Sequence, residues 1–238
     1  MRINGTIAFV SGANRGLGRA LVEALLQRGA AKVYAAARRV ETLDDLRDPR
    51  TVPVRLDITD ADQVTRAAEA ARDTTLLVNN GGSLALADAL SGDLGAFESD
   101  MRTNFLGTLA MSRAFASVLE DNGGGGIVNV LSLVVFGSVP PMGGYSASKA
   151  AAASITQALR AQLAGKQITV HGVFPGAVDT DMIRDFPITK TAAPNVAAAI
   201  LDGIEAGHSD IFPDPMAQAG YQAWRADHAA FEQQMAST

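Results

Sequence analysis

A tyrosine and a lysine stand four residues apart in YSASK (145–149), with only Ser, Ala and Ser between them. In a helix, side chains at i and i+4 share a face, so the Lys149 ammonium would lie beside the Tyr145 phenol. A free phenol has a pKa of about 10, too high for proton exchange near neutrality. A neighbouring positive charge favours the phenolate and lowers that value, which makes the pair an acid/base for physiological pH. Thirteen residues earlier, Ser132 closes the apolar run IVNVLS (127–132). A hydroxyl at such a strand end could donate to a carbonyl oxygen while the phenol protonates it. Asn104, in MRTNFLG (101–107), is a polar residue on an otherwise apolar helical face and could hold a water next to Lys149. These side chains suggest proton transfer to or from a carbonyl or alcohol oxygen.

Holding them together requires a scaffold, and the chain alternates strand and helix patterns throughout. Apolar strand-like runs cover 6–11, 31–37, 51–57, 75–80, 127–132, 168–176 and 209–212. Pro53 must lie near the start of its strand or at a sheet edge. Helical spacing covers 18–29, stopped by Gly29, then 61–72 behind the N-cap Asp60, 99–121, 145–164 and 193–206. The glycine run NGGGG (122–126) reads as a loop, and 215–234 as a C-terminal helix. Near-continuous apolar strands alternating with helices predict an α/β fold: a parallel sheet covered on both faces, with right-handed crossovers. No linker or internal repeat divides the chain, so a single domain over 1–238 is expected.

The 238 residues are 47% hydrophobic and 19% charged, with a net charge of −5. That balance excludes a concentrated basic face for nucleic acid. There is no cysteine, hence no disulfide, thiolate metal site or cysteine nucleophile. His171, His208 and His228 are scattered and offer no metal spacing. The sequence has no signal-peptide pattern and no apolar run long enough to cross a membrane, and a cytoplasmic protein is expected.

SGANRGLG (11–18) sits where the first strand gives way to the first helix. Gly12 would let the chain turn sharply, and Gly16 and Gly18 would let a pyrophosphate approach the backbone N–H groups of the helix N-terminus. An NAD site usually offers an acidic residue at the end of the second strand, about 20 residues further on. Here AAARR places Ala37 at that point, followed by Arg38 and Arg39, while Arg15 lies inside the glycine turn. Guanidinium groups suit a 2′-phosphate, so NADP(H) is expected over NAD(H).

With these features in place, nearly the whole chain resembles the short-chain dehydrogenases/reductases. SGANRGLG resembles the family's cofactor motif, with Ser11 where threonine is usual, and the resemblance adds Asn14 and Leu17 to the cofactor contacts. NNGG (79–82) resembles its N-N-A-G element, implicating Asn80, Gly81 and Gly82. LDIT (56–59) resembles the strand end where Asp57 and Ile58 meet the adenine. PGAVDT (175–180) resembles the segment at the nicotinamide end, with Pro175, Gly176, Val178 and Thr180. Asn104, Ser132, Tyr145 and Lys149 match the catalytic tetrad in order. The resemblance implies a Rossmann-like doubly wound sheet of about seven strands and hydride transfer between nicotinamide and a carbonyl carbon. It also implies Tyr145 as acid/base, Lys149 on the nicotinamide ribose, Ser132 orienting the substrate oxygen and Asn104 on a water-linked proton path. Homodimers or homotetramers, built on the helices at 99–121 and 145–164, are implied as well.

The substrate pocket is expected to be apolar, bounded by Leu133 and Val134 after Ser132, by Met142, and by Met182, Ile183 and Phe186. Residues 183–193 would form a small lid. A hydrophobic ketone or aldehyde suits such a lining. A reductase of 3-oxoacyl thioesters and a non-catalytic NADP(H)-binding signalling protein remain the alternatives.

Overall fold

The structure, a computed structural model, describes residues 1–237. Seven strands form one sheet: β1 (Ile7–Ser11), β2 (Lys32–Ala37), β3 (Thr51–Arg55), β4 (Leu76–Asn79), β5 (Gly125–Val130), β6 (Ile168–Val173) and β7 (Asp210–Ile211). Their order is β3-β2-β1-β4-β5-β6-β7, and every pairing is parallel. The order reverses between β1 and β4, which opens a crevice at the carboxyl ends of those strands. Pro53 lies in β3, the edge strand, where its missing N–H costs no ladder bond to a further neighbour.

Helices cover both faces. On one, α1 (Gly16–Gln27) and α6 (Ala193–Glu205) bury Leu21, Leu25, Ile200 and Ile204 against Val10, Val78 and Val128. On the other, α2 (Ala61–Ala70), α4 (Thr108–Asp121) and α5 (Gly143–Leu163) pack Val64, Met111, Phe115 and Leu159 over Phe9, Leu77 and Ile127. The ends of these helices follow from their sequence. Asp60 caps α2 by accepting from Gln63 N at 3.0 Å. Gly29, at φ +82°, closes α1 with Gly29 N and Ala30 N donating back to the Leu26 and Leu25 carbonyls, a Schellman motif.

Three elements differ from the sequence reading. β5 begins inside the glycine run rather than after it. A Cβ on Gly125 would stand 2.2 Å from the Thr75 carbonyl oxygen, so only glycine lets the strand enter between its neighbours there. The helix expected over 99–121 starts earlier, as α3 (Leu94–Asp100) capped by Asp93, and passes through a π-helical stretch, Met101–Gly107, before α4. The tail is two helices, α7 (Pro215–Ala226) and α8 (His228–Ala236), because Asp227 is extended and its side chain accepts from Ala230 N to start the second.

These C-terminal helices dock through stacked rings. Phe136 lies 4.8 Å from Trp224, 5.4 Å from Tyr221 and 5.1 Å from Phe174, centroid to centroid. Tyr221 stacks on Phe212 at 4.0 Å. Among the described residues, no helix is long and apolar enough to cross a membrane.

Candidate active site

Strand β5 ends at Val130, and Ser132 follows two residues later, buried at the crevice. Helix α5 starts at Gly143 and carries Tyr145 and Lys149 on one face, as their spacing requires. Lys149 is 5% exposed; its ammonium donates to the Val130 carbonyl at 2.7 Å and lies 5.8 Å from the Tyr145 ring centre. Ser132, Tyr145 and Lys149 all line a single cleft of about 600 Å³.

A buried polar chain fixes the two strands beneath them. Asn79 on β4 donates to Asn129 on β5 at 2.8 Å and to Ser112 on α4 at 3.0 Å. Asn129 donates in turn to Thr156 on α5 at 2.9 Å. The chain ties β4, β5 and α5 together, because removing a partner would leave a buried amide group unsatisfied at a cost of about 1–3 kcal/mol.

Asn104 sits in the π-helical stretch, 1% exposed. Its amide is fully engaged: Oδ1 accepts from Ser83 N at 2.9 Å, and Nδ2 donates to the Ser83 carbonyl and to Ser148 Oγ, each at 2.9 Å. The side chain therefore holds the loop after β4 and the first turn of α5 together. π-Helical turns inside α-helices often mark functional sites, and this one aims Asn104 inward.

The electrostatics depart from the expectation that Lys149 makes the phenol acidic. Burial pushes the Tyr145 phenol up to about 12, against a lowering by its hydrogen bond with Ser132 and a further raising by the Asp100 carboxylate. Burial pulls the Lys149 ammonium down to about 8, with Asp100 opposing. Desolvation is the leading cause at both groups, and the Lys149 ammonium spends a hydrogen bond on the Val130 carbonyl.

The glycine turn and the loop after β4 are locked together. Ser11 Oγ accepts from Asn80 N at 3.1 Å and Gly81 N at 3.0 Å, so serine supplies the hydroxyl that threonine would. Asn80 Nδ2 donates to the Ser11 and Gly12 carbonyls at 3.0 and 3.2 Å. Gly12 and Gly16 adopt φ +66° and +53°, where a side chain is strained. A Cβ on Gly16 would meet Thr180 Cγ2 at 2.9 Å across the cleft.

Every residue expected to contact a cofactor lines the cleft except Gly18. Gly12, Asn14, Arg15, Gly16 and Leu17 form one wall, and Asp57 and Ile58 line one end with Arg38 and Arg39. Asn80, Gly81 and Gly82 form the floor, and Pro175, Gly176, Val178 and Thr180 the far rim. Gly18 is instead a packing residue: a Cβ there would stand 2.1 Å from the Gly12 carbonyl oxygen and 2.5 Å from Asn80 Nδ2. Arg15 pairs with Asp181 at 3.3 Å, whereas Arg38 and Arg39 are exposed and make no ion pair among the described residues. A long polar cleft with a side-chain-free turn at a helix N-terminus and unpaired arginines at one end fits a phosphorylated dinucleotide.

The apolar residues fare differently. Met182 and Ile183 line the cleft, but Leu133, Val134, Met142 and Phe186 do not. Leu133 is buried under α7, where a Cβ on Gly220 would lie 2.7 Å from its Cδ2. Met142 is half-buried at the start of α5, bridged to Ala87. Val134 donates its N–H to Ser132 Oγ at 3.4 Å, and Phe186 folds back with its N–H on the Ile183 carbonyl. Three polar groups escaped the sequence reading: Asp100, Ser83 and Asp214. Asp214 accepts from Gly176 N at 2.9 Å and caps α7, tying the rim to the C-terminal helices.

Residues 6–190 match the family model described as short chain dehydrogenase. A short chain dehydrogenase from Burkholderia cenocepacia J2315, solved in complex with NADP, superposes with a TM-score of 0.94 at 44% identity over 99% of both chains. A short chain dehydrogenase/reductase from Burkholderia phymatum, in complex with NAD, superposes at 0.84 with 26% identity, covering 98% of this chain and 96% of that one. Galactitol 2-dehydrogenase (L-tagatose-forming) from Cereibacter sphaeroides is 33% identical over 190 residues, 76% of this chain and 74% of its own length. Fold, cleft and sequence agree, and the chain belongs to the short chain dehydrogenase/reductase family of oxidoreductases.

Proposed function

We propose that the protein is an NADPH-dependent carbonyl reductase acting on apolar ketones or aldehydes. The observation that carries the cofactor choice is the end of β2: Ala37 stands where a carboxylate would meet a ribose hydroxyl, and Arg38 and Arg39, without an ion pair among the described residues, border the cleft. The similarity to a dehydrogenase solved with NADP supports the same choice. The glycine turn at Gly12 and Gly16 would hold the pyrophosphate, and Lys149 and Asn80 the nicotinamide half. When bound, the cofactor supplies the hydride.

The chain's own groups handle the proton. Tyr145, held neutral by its burial, is stocked as a proton donor and delivers to the substrate oxygen. Ser132 donates a hydrogen bond to that oxygen as its charge develops. Lys149, protonated below about pH 8, stabilises the phenolate left behind. Asn104 fixes the loop that floors the site. Met182 and Ile183 give the substrate side an apolar edge. The test is a panel of ketones, aldehydes, sugars and a 3-oxoacyl thioester followed at the NADPH absorbance band, in parallel with NADH. Turnover of apolar carbonyls with NADPH is expected. Consumption restricted to the thioester would favour the acyl reductase, and no consumption at all would overturn the enzyme reading.

A further inference from the structure

Asp100, the last residue of α3, is 0% exposed and forms no ion pair among the described residues. Buried carboxylates are normally paired with a cation or neutralised, because an isolated buried charge is costly. Among the described residues this one has two hydrogen-bond partners, both neutral donors. Ser83 Oγ donates to Oδ1 at 2.6 Å, and Ala85 N donates to Oδ2 at 3.0 Å. Four residues on, Asn104 grips the Ser83 backbone from both sides. Ser83 is thereby clamped at its N–H, its carbonyl and its hydroxyl, and it lines the cleft directly after the Gly82 floor. A Cβ on Gly82 would lie 3.0 Å from Asn104 Oδ1 and 3.7 Å from Lys149 Nζ, so this clamp borders the lysine. Lys149 is the matching case: a buried cation with no carboxylate at ion-pair distance among the described residues. A buried acidic and a buried basic side chain, neither in an ion pair among the described residues, thus flank one loop.

We propose that Asp100 is a positioning residue for the Tyr145–Lys149 pair, acting on Lys149 through its fixed negative charge and on the cleft wall through Ser83 and Ala85. Among the described residues it is the one charged side chain that acts on either member of the pair: it raises both, opposing burial at Lys149 and reinforcing it at Tyr145. Its charge thus favours the reactive forms, a cationic lysine and a protonated phenol, at a single stroke. The role rests on the proposed reductase reading, but the charge effect can be read without turnover.

The test is D100N, whose amide can still donate to Ser83 and accept from Ala85 while removing the charge. D100S removes the same charge with less bulk and serves as an independent arm. Lys149 is titrated in each protein by competitive acetylation with acetic anhydride, read by peptide mass spectrometry, and the pH profile of NADPH-dependent turnover is recorded beside it. Both neutral variants should move the Lys149 midpoint and the alkaline limb of the rate profile down by about one pH unit. S83A, which breaks one clamp bond and keeps the charge, should leave the midpoint at its wild-type position. An unchanged midpoint in D100N and D100S, or a shift in S83A as large as theirs, would overturn the proposal. A shifted midpoint in a protein without turnover would uphold the coupling and reject the reductase reading instead.

Discussion

Replacing Lys149 with methionine should make the protein more stable near neutrality while abolishing turnover. Burial lowers the ammonium from 10.5 to about 8, and a shift of that size corresponds to about 3 kcal/mol of cost for holding the charged form in the fold. Methionine fills much the same space without the charge but leaves the Val130 carbonyl without its 2.7 Å donor. That loss costs about 1 kcal/mol, so the net gain is about 2 kcal/mol, or roughly 4–8 °C in Tm for a chain of this size. The pH dependence gives the sharper test. Below about pH 8, Lys149 is protonated in both folded and unfolded chains, and the wild type carries the full cost. Between about 8 and 10.5, the unfolded chain still holds the proton that the folded one has released, so wild-type stability rises with pH. Above that window the cost is gone. Urea denaturation at about pH 7 and about pH 10 should therefore show K149M ahead at the lower pH and level or behind at the higher. A variant less stable at neutral pH, or a gap that does not close, would refute the reasoning.

Tyr145→Phe should lower kcat by at least about 10²-fold with NADPH affinity retained, since only the proton donor is lost; fluorescence titration and steady-state rates separate the two. Gly18→Ala forces a methyl against the Gly12 carbonyl at 2.1 Å, an overpacking of about 1–3 kcal/mol that must open the turn. Its NADPH affinity should fall on the order of tenfold, and wild-type affinity in that variant would deny the tight packing. Arg38→Ala with Arg39→Ala should weaken NADPH by at least about tenfold and leave NADH unchanged, a difference that competition titration detects.

The sheet was legible because a doubly covered parallel strand must be apolar along its length, and TIAFVS, TLLVNN and IVNVLS are. The start of β5 was not, because glycine reads as a breaker unless one knows that the Thr75 carbonyl crowds Gly125. The π-helical stretch is a change of hydrogen-bond partner that leaves the side-chain pattern of 99–121 intact, so periodicity passed over it. The cofactor cleft was read through residues whose value lies in having no side chain or a fixed charge, and both survive as sequence. Gly18 was misplaced because its absent side chain faces the turn's own carbonyl. The apolar wall was read poorly, since a leucine such as Leu133 has the same composition whether it faces a ligand or the underside of α7. Asp100 was missed because a carboxylate is ordinarily solvated. Its distance of four from Asn104 was the available clue.

The ring stack around Phe136 gives the C-terminal helices a stake in the chemistry that their distance from Tyr145 conceals. Phe136 follows Ser132 by one helical turn, and the rings of Tyr221 and Trp224 brace it from outside. Asp214 grips Gly176 on the opposite rim. Exchanging this tail would reshape both rims of the cleft while every reacting group stays in place, and an affinity tag or fusion partner belongs at the other terminus.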